Sequence, residues 1–193
     1  MYLTEPTRIA DADLPMEQFR DHLHLGTGFS DDDAQNLILI RTLRSAIAQV
    51  EMLCGKALLA RDFICIAHAW SDLSRTVLPR APVVRLDALT IVDADATHHL
   101  IKPDRYGIER DIHRPELVAR GFALPQIPVG GHAEIRFHAG YGTGWDEIPA
   151  DLSLATMMLA ASHYEDRTAL GSISPGVQSM LAPYRPRRLL GGF

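Results

Sequence analysis

Residues Leu152–Tyr164 read LSLATMMLAASHY, a run without Asp, Glu, Lys or Arg. Wound as a helix it is apolar nearly all round, which predicts a helix buried on several sides and makes it the expected central core helix. Ahead of it, Ile148-Pro149-Ala150-Asp151 suits a first turn, with proline where no amide donor is needed and an acid at the positive end. A second helix is predicted from Ser30-Asp31-Asp32-Asp33, where Ser30 can cap free amides and the aspartates face the helix start. Ile40, Leu43, Ile47, Val50 and Cys54 recur at spacings of three and four, and Gly55 supplies a stop. From Asp31 to Cys54 that helix would run about 36 Å at 1.5 Å per residue. Shorter helices are predicted over Met16–Leu25 and Gly176–Leu181.

Between the long helical stretches the texture changes to short runs rich in Phe, Ile, Val and Trp, broken by Pro, Gly and Asp. Arg61–Trp70, Val83–Leu86 and Leu89–Val92 read as strands. Asp93-Ala94-Asp95-Ala96 reads as a hairpin turn with His98–Ile101 returning. The cleanest alternation is Glu134-Ile135-Arg136-Phe137-His138-Ala139, which places Ile135 and Phe137 on one sheet face. The order helices, strands, helices predicts an α+β fold. The expectation is a helical bundle, with a long N-terminal helix and a buried C-terminal helix, carrying an inserted small antiparallel β module and an extended C-terminal tail. Its boundaries are one domain over 1–183, with helices about 16–55 and 149–182 and the β module about 60–141, followed by a tail over 184–193.

A chain of 193 residues can bury a substantial core, and 47% hydrophobic with 22% charged residues is ordinary globular composition. A net charge of −5 offers no broad cationic face, so sequence-specific DNA binding is not expected. The two cysteines, Cys54 and Cys65, form no metal-type pair or disulfide framework, which fits a reducing compartment. The N-terminus lacks the pattern of a secretory signal, and no apolar run approaches the roughly 20 residues that span a bilayer. A protein made in the cytoplasm, with no membrane partner, is expected.

His163-Tyr164-Glu165-Asp166-Arg167 concentrates titratable groups at the end of the apolar helix. At helical spacing His163 and Arg167 share a face, and the acids and arginine can pair with each other or with a neighbouring copy. His163, Glu165, Asp166 and Arg167 are therefore candidate subunit contacts. The alternative is a small cytosolic hydrolase or metal-dependent enzyme using His163, Glu165 and Asp166. Against it, no Ser, Cys or Lys nucleophile with a matching base lies nearby, so no catalytic residue is assigned. His98 and His99 near Asp93 and Asp95 hint at metal ligands, but neighbours in a strand point to opposite faces. Asp31, Asp32 and Asp33 lack the glycine and distal glutamate of a calcium loop. Gly140-Tyr141-Gly142-Thr143-Gly144 lacks the lysine and Ser/Thr of a phosphate loop and reads as a flexible connection. Neither a cofactor nor a metal is expected.

The end of the chain carries more. Arg185, Arg187 and Arg188 have no acids nearby in sequence, and Tyr184, Leu189, Leu190 and Phe193 add apolar groups where a chain end normally frays. Pro183 and Pro186 remove donors and stiffen the segment. Composition alone fits a docking segment and a disordered end equally well.

The order of these motifs resembles the head-tail connector (adaptor) proteins of long-tailed double-stranded DNA phages and of phage-derived gene transfer agents. The resemblance covers most of the chain. It rests on Ile148-Pro149-Ala150-Asp151-Leu152 running to His163-Tyr164-Glu165-Asp166-Arg167, and on Ile173-Ser174-Pro175-Gly176-Val177 running to Leu181-Ala182-Pro183-Tyr184-Arg185. The stretches from Leu78 to Asp95 and at Gly55-Lys56-Ala57-Leu58 are also similar. The acidic, extended N-terminus and Asp166 depart from the pattern. The resemblance implies a structural protein that forms a ring, commonly of twelve copies, beneath the portal. The ring would extend the channel for double-stranded DNA and meet the next neck, stopper or tail protein, inside a virion or phage-like particle. It also implies that the C-terminal segment, with Tyr184, Arg185, Arg187, Arg188, Leu189, Leu190 and Phe193, docks on the portal.

Overall fold

Residues 132–139, HAEIRFHA, alternate strictly between buried and outward-facing side chains, and the strand they form is hydrogen-bonded on both edges. A computed structural model describes residues 1–25, 33–165 and 173–186, in which the chain divides into two units. The first unit is Met1–Arg8 with Ala60–Tyr141; the second is Ile9–Leu59 with Gly142–Phe193.

The first unit holds β1 (Tyr2–Thr4), β2 (Arg61–Ala67), β3 (Arg75–Val77), β4 (Val83–Val92), β5 (His98–Leu100), β6 (Tyr106–Glu109), β7 (Glu116–Ala119) and β8 (His132–Ala139). They form a five-stranded sheet in the order β1-β2-β8-β4-β5 and a three-stranded sheet in the order β3-β7-β6, antiparallel throughout. Phe63 of β2 lies directly across from Phe137 of β8, their rings stacked at 5.6 Å between centroids. Cys65, Leu89, Ile135 and Leu117 are buried with them, and the Leu89 amide donates to the hydroxyl of Tyr106 at 3.2 Å, tying the two sheets together. The side chains facing away on the large sheet are mostly charged and paired. His138 Nδ1 meets Asp62 at 2.7 Å, Arg136 lies 3.5 Å from Glu134, and Arg85 reaches Asp62 and Asp87. The Asp93–Thr97 turn closes β4 onto β5 as expected, with the Asp93 amide donating to the Thr97 carbonyl.

The second unit holds α1 (Met16–His22), α2 (Asp33–Cys54), α3 (Ala150–Glu165) and α4 (Pro175–Leu181). The buried stripe of α2 runs Leu39, Leu43, Ala46, Ile47, Val50 and Cys54, so Leu39 takes the inward place expected of Ile40. Gly55 ends the helix with φ +62°, a left-handed conformation that glycine adopts without steric cost. Glu51, buried on the last turns, accepts the Leu58 amide at 2.8 Å and so fixes the chain leaving the helix. The α3 helix buries Leu152, Ala155, Thr156, Leu159, Ala160 and His163 along one stripe and Met157 beside it, while Leu154 is exposed. Burial thus reaches round more than one side of the helix, as the apolar run predicted. Ser30, Asp31 and Asp32, read as the helix start, lie outside the described residues.

The expected helical bundle with a long N-terminal helix and an inserted small β module is overturned. The described residues hold eight strands in two antiparallel sheets beside four helices, a mixed α and β structure. The chain opens on a strand, and its first helix is only seven residues long. The β structure was underestimated for two reasons. Strands of three or four residues, such as β3, β6 and β7, are too short for a period of two to emerge from the sequence. Two irregularities in β4 also break its alternation, so that one ten-residue strand reads as two short runs.

Replacing Phe137 by Ala empties the centre of the large sheet, where both the ring and its stacking partner are fully buried. A loss of about 3–5 kcal/mol is expected. Urea unfolding should show a lower midpoint for Phe137→Ala, whereas Arg136→Ala on the outward face should change stability by less than about 1 kcal/mol.

Candidate functional site: the root of the C-terminal segment

Helix α4 starts at Pro175, capped by Ser174, whose hydroxyl accepts the Val177 amide at 3.3 Å. It buries Val177 and Leu181 and gives way to a single 3-10 turn, Ala182–Tyr184, with Pro183 near its start. Proline's fixed φ suits that place, and Pro186 disfavours a helical Arg185. Arg185 is extended accordingly, with φ −67° and ψ 139°.

At the end of this turn the Tyr184 hydroxyl donates to Asp151 Oδ1 at 2.6 Å. Asp151 stands in the first turn of α3, so it faces the positive end of that helix as well as the phenol. Burial, and then the bond to Asp151, push the Tyr184 hydroxyl up to about 12, which leaves it a neutral donor throughout the physiological range. Arg185 lies at the opposite end of α2. Its charge counteracts the burial that raises the Cys54 thiol pKa. Pro186 Cγ lies 3.9 Å from the place a β-carbon on Gly55 would occupy. Three consecutive residues therefore rest on two helix ends, the start of α3 and the finish of α2. Arg187, Arg188, Leu189, Leu190 and Phe193 lie outside the described residues.

The sequence singled out Tyr184 and Arg185 but missed the partners that hold them. Asp151 was read only as a helix-start acid, and nothing local marks a bond across 33 positions. The unusual pair of prolines around Tyr184-Arg185 was the available signal.

The second candidate cluster separates. His163 is 5% exposed, and neither ring nitrogen has a hydrogen-bond partner among the described residues, whereas Glu165 is exposed. Residues two apart on a helix point in different directions, so the two do not converge on a common point. Asp166 and Arg167 lie outside the described residues. At the β4–β5 hairpin His98 and His99 are both exposed, and His99 Nε2 meets Asp93 at 2.6 Å. Among the described residues no group of three or more His, Cys, Asp or Glu is placed to hold a metal ion. No helix among them is long and apolar enough to cross a membrane. The glycine-rich connection is clamped. Glu147, in the turn Trp145–Glu147, accepts the Gly144 amide at 2.9 Å and the Thr143 hydroxyl at 3.3 Å. Those bonds hold its carboxyl below the usual range. The acid thus takes a backbone donor that a phosphate loop would present to its ligand.

No protein-family model and no curated protein sequence matches the chain. Solved structures do. A chain in the neck of an empty gene transfer agent particle, computed with C6 symmetry, is 41% identical, with a TM-score of 0.90, covering 100% of this chain and 99% of that one. A chain of the virion of a native gene transfer agent particle is 40% identical with a TM-score of 0.89, and one from the neck of a native particle, computed with C12 symmetry, is 38% identical with a TM-score of 0.86. Both matches again cover 100% of this chain and 99% of the other. With identity this high from end to end, the chain belongs to the family of gene transfer agent neck proteins.

The buried imidazole of His163 gives a pH test. Desolvation lowers its pKa below the ordinary 6.5. As pH falls below about 6.5 the unfolded chain takes up a proton that the folded chain refuses, so stability declines until pH reaches the lowered folded value. The variant His163→Leu removes that slope and an unpartnered buried polar group. Its melting temperature should exceed that of the parent by more at pH 5.5 than at pH 8; equal differences at both would contradict the buried neutral state.

Proposed function

We propose that the protein is a structural, non-enzymatic head-tail connector that forms a ring, of twelve copies, in the neck of a gene transfer agent particle. The observation that carries this reading is the end-to-end likeness to neck chains computed with C6 and C12 symmetry. The ring would sit beneath the portal, extend the channel for double-stranded DNA, and join the DNA-filled head to the next neck, stopper or tail protein. The chain would be made in the bacterial cytoplasm and incorporated into the particle at the head-tail junction.

Two features support a conduit that lets DNA slide. The net charge is −5. The arginines at positions 44, 61, 75, 85, 114 and 136 each lie within 4 Å of a carboxylate, which cancels much of the field they would offer to phosphates. Residues 1–183 act as the connector domain in this reading, and residues 184–193 as the docking tail. On the tail the portal-binding segment comprises Tyr184, Arg185, Arg187, Arg188, Leu189, Leu190 and Phe193, with Tyr184 at its root serving to position the residues beyond it, which would make the contacts. At the end of α3 the exposed Glu165, with Asp166 and Arg167, would meet the neighbouring copy while His163 packs behind them.

A chain lacking residues 187–193 keeps every described contact of both units, so it is expected to fold and to form rings visible by electron microscopy. Mixed with purified portal from the same particle, it should fail to co-sediment where the full chain does. Unimpaired attachment would overturn the tail assignment. In the full chain, Arg187→Glu with Arg188→Glu should weaken the complex at least tenfold at low salt, with the deficit shrinking as salt screens the charges.

A further inference from the structure

The first three residues of the docking tail, Tyr184, Arg185 and Pro186, are held more firmly than a chain end requires. Pro183 sets the 3-10 turn, and Pro186 keeps Arg185 extended, so the backbone direction through 183–186 has little freedom. Tyr184 is bonded at 2.6 Å to Asp151 on α3, and Pro186 rests over Gly55 at the end of α2. Arg185 carries its positive charge near the last turn of α2, the negative end of that helix, and its half-buried side chain has an Nε atom with no hydrogen-bond partner among the described residues. Nothing in α4 needs these bonds, since that helix is already anchored by Val177 and Leu181.

We propose that Tyr184 and Asp151 form a latch that sets the direction in which the C-terminal segment leaves the protein, so that it meets its partner already aimed. The inference rests on the docking role of that segment. In it, Tyr184 and Asp151 are positioning residues that need not touch the portal. A segment aimed before contact loses less conformational freedom on binding, and removing the latch returns that cost to the binding step. A hydrogen bond to a charged group, at a partly exposed position, corresponds to a roughly five- to tenfold change in affinity.

The test compares portal binding by four full-length chains: the parent, Tyr184→Phe, Asp151→Ala and the double variant. Each is first checked for an unchanged melting transition and ring size. Each single variant should bind purified portal five- to tenfold more weakly, and the double variant no more weakly than either single one, because both remove the same bond. A free peptide of residues 184–193 should compete equally well with Tyr or Phe at its first position, because Asp151 is absent from it. If the peptide loses affinity with Phe, Tyr184 touches the portal and the latch is overturned. If full-length Tyr184→Phe and Asp151→Ala bind like the parent while deletion of residues 187–193 abolishes binding, the latch falls and the docking role stands. If that deletion has no effect, the docking role falls and the latch with it. Should Tyr184→Phe shift the melting transition, Asp151→Ala, at an exposed position, carries the comparison.

Discussion

Strand β8 is paired along both edges, and that constraint sorts the first unit. With its backbone committed to β2 and β4, its side chains can only alternate, and the inward row must be apolar from end to end. Ala133, Ile135, Phe137 and Ala139 meet that demand and are fully buried. A register slip of one residue would exchange this row for His132, Glu134, Arg136 and His138, burying four polar groups at once. The outward row then falls beside Asp62 and Arg85 of the flanking strands, which explains why the exposed face is a set of short ion pairs of alternating sign. Such pairs contribute little to stability, but they cancel one another's fields. A surface of this kind neither attracts nor strongly repels a polyanion.

In the second unit the corresponding constraint is that α2 and α3 run antiparallel. Gln35 near the start of α2 donates to the Tyr164 hydroxyl near the end of α3 at 2.7 Å. At the other end, residues 184 and 186 reach Asp151 and Gly55 within one turn of chain, so the finish of α2 lies near the start of α3. Antiparallel packing brings the negative pole of one helix beside the positive pole of the other. An acid on α3 and an arginine near α2 are the charges that suit those poles, and the root of the C-terminal segment connects with both.

Long elements with an intact period were legible in the sequence. The α2 stripe, the α3 run and the β8 alternation were each read within a few residues of their bounds, because many positions agreed on one face. The proportion of β structure was not legible. Tyr2-Leu3-Thr4 gives no strand signal of its own and becomes β1 only because β2 offers an edge opposite Ile64, Cys65 and Ile66. The candidate site divides in the same way. Tyr184 and Arg185 stood out by composition and by the flanking prolines, which act locally. The bond to Asp151 depends on how α3 and α4 pack, and no pattern along the chain encodes that. His163 and Glu165, close in sequence, are pointed apart by the helical turn, one imidazole buried and one carboxylate exposed, a division that spacing along the chain does not show.

The chemistry of the latch also separates two dependences that a simple basic tail would merge. A phenol that titrates near 12 stays a donor at any pH the particle meets, and a bond between a neutral donor and a carboxylate responds weakly to salt. The aim of the segment would therefore be constant. The arginines at 187 and 188 behave oppositely in this reading, since charge attraction across an interface is strongest at low ionic strength. Orientation would thus be set by the folded protein, while the strength of attraction stays open to the ionic conditions of assembly. A salt bridge in place of the Tyr184–Asp151 bond would weaken aim and attraction together, and a copy held to its partner in high salt would then be held in the wrong direction.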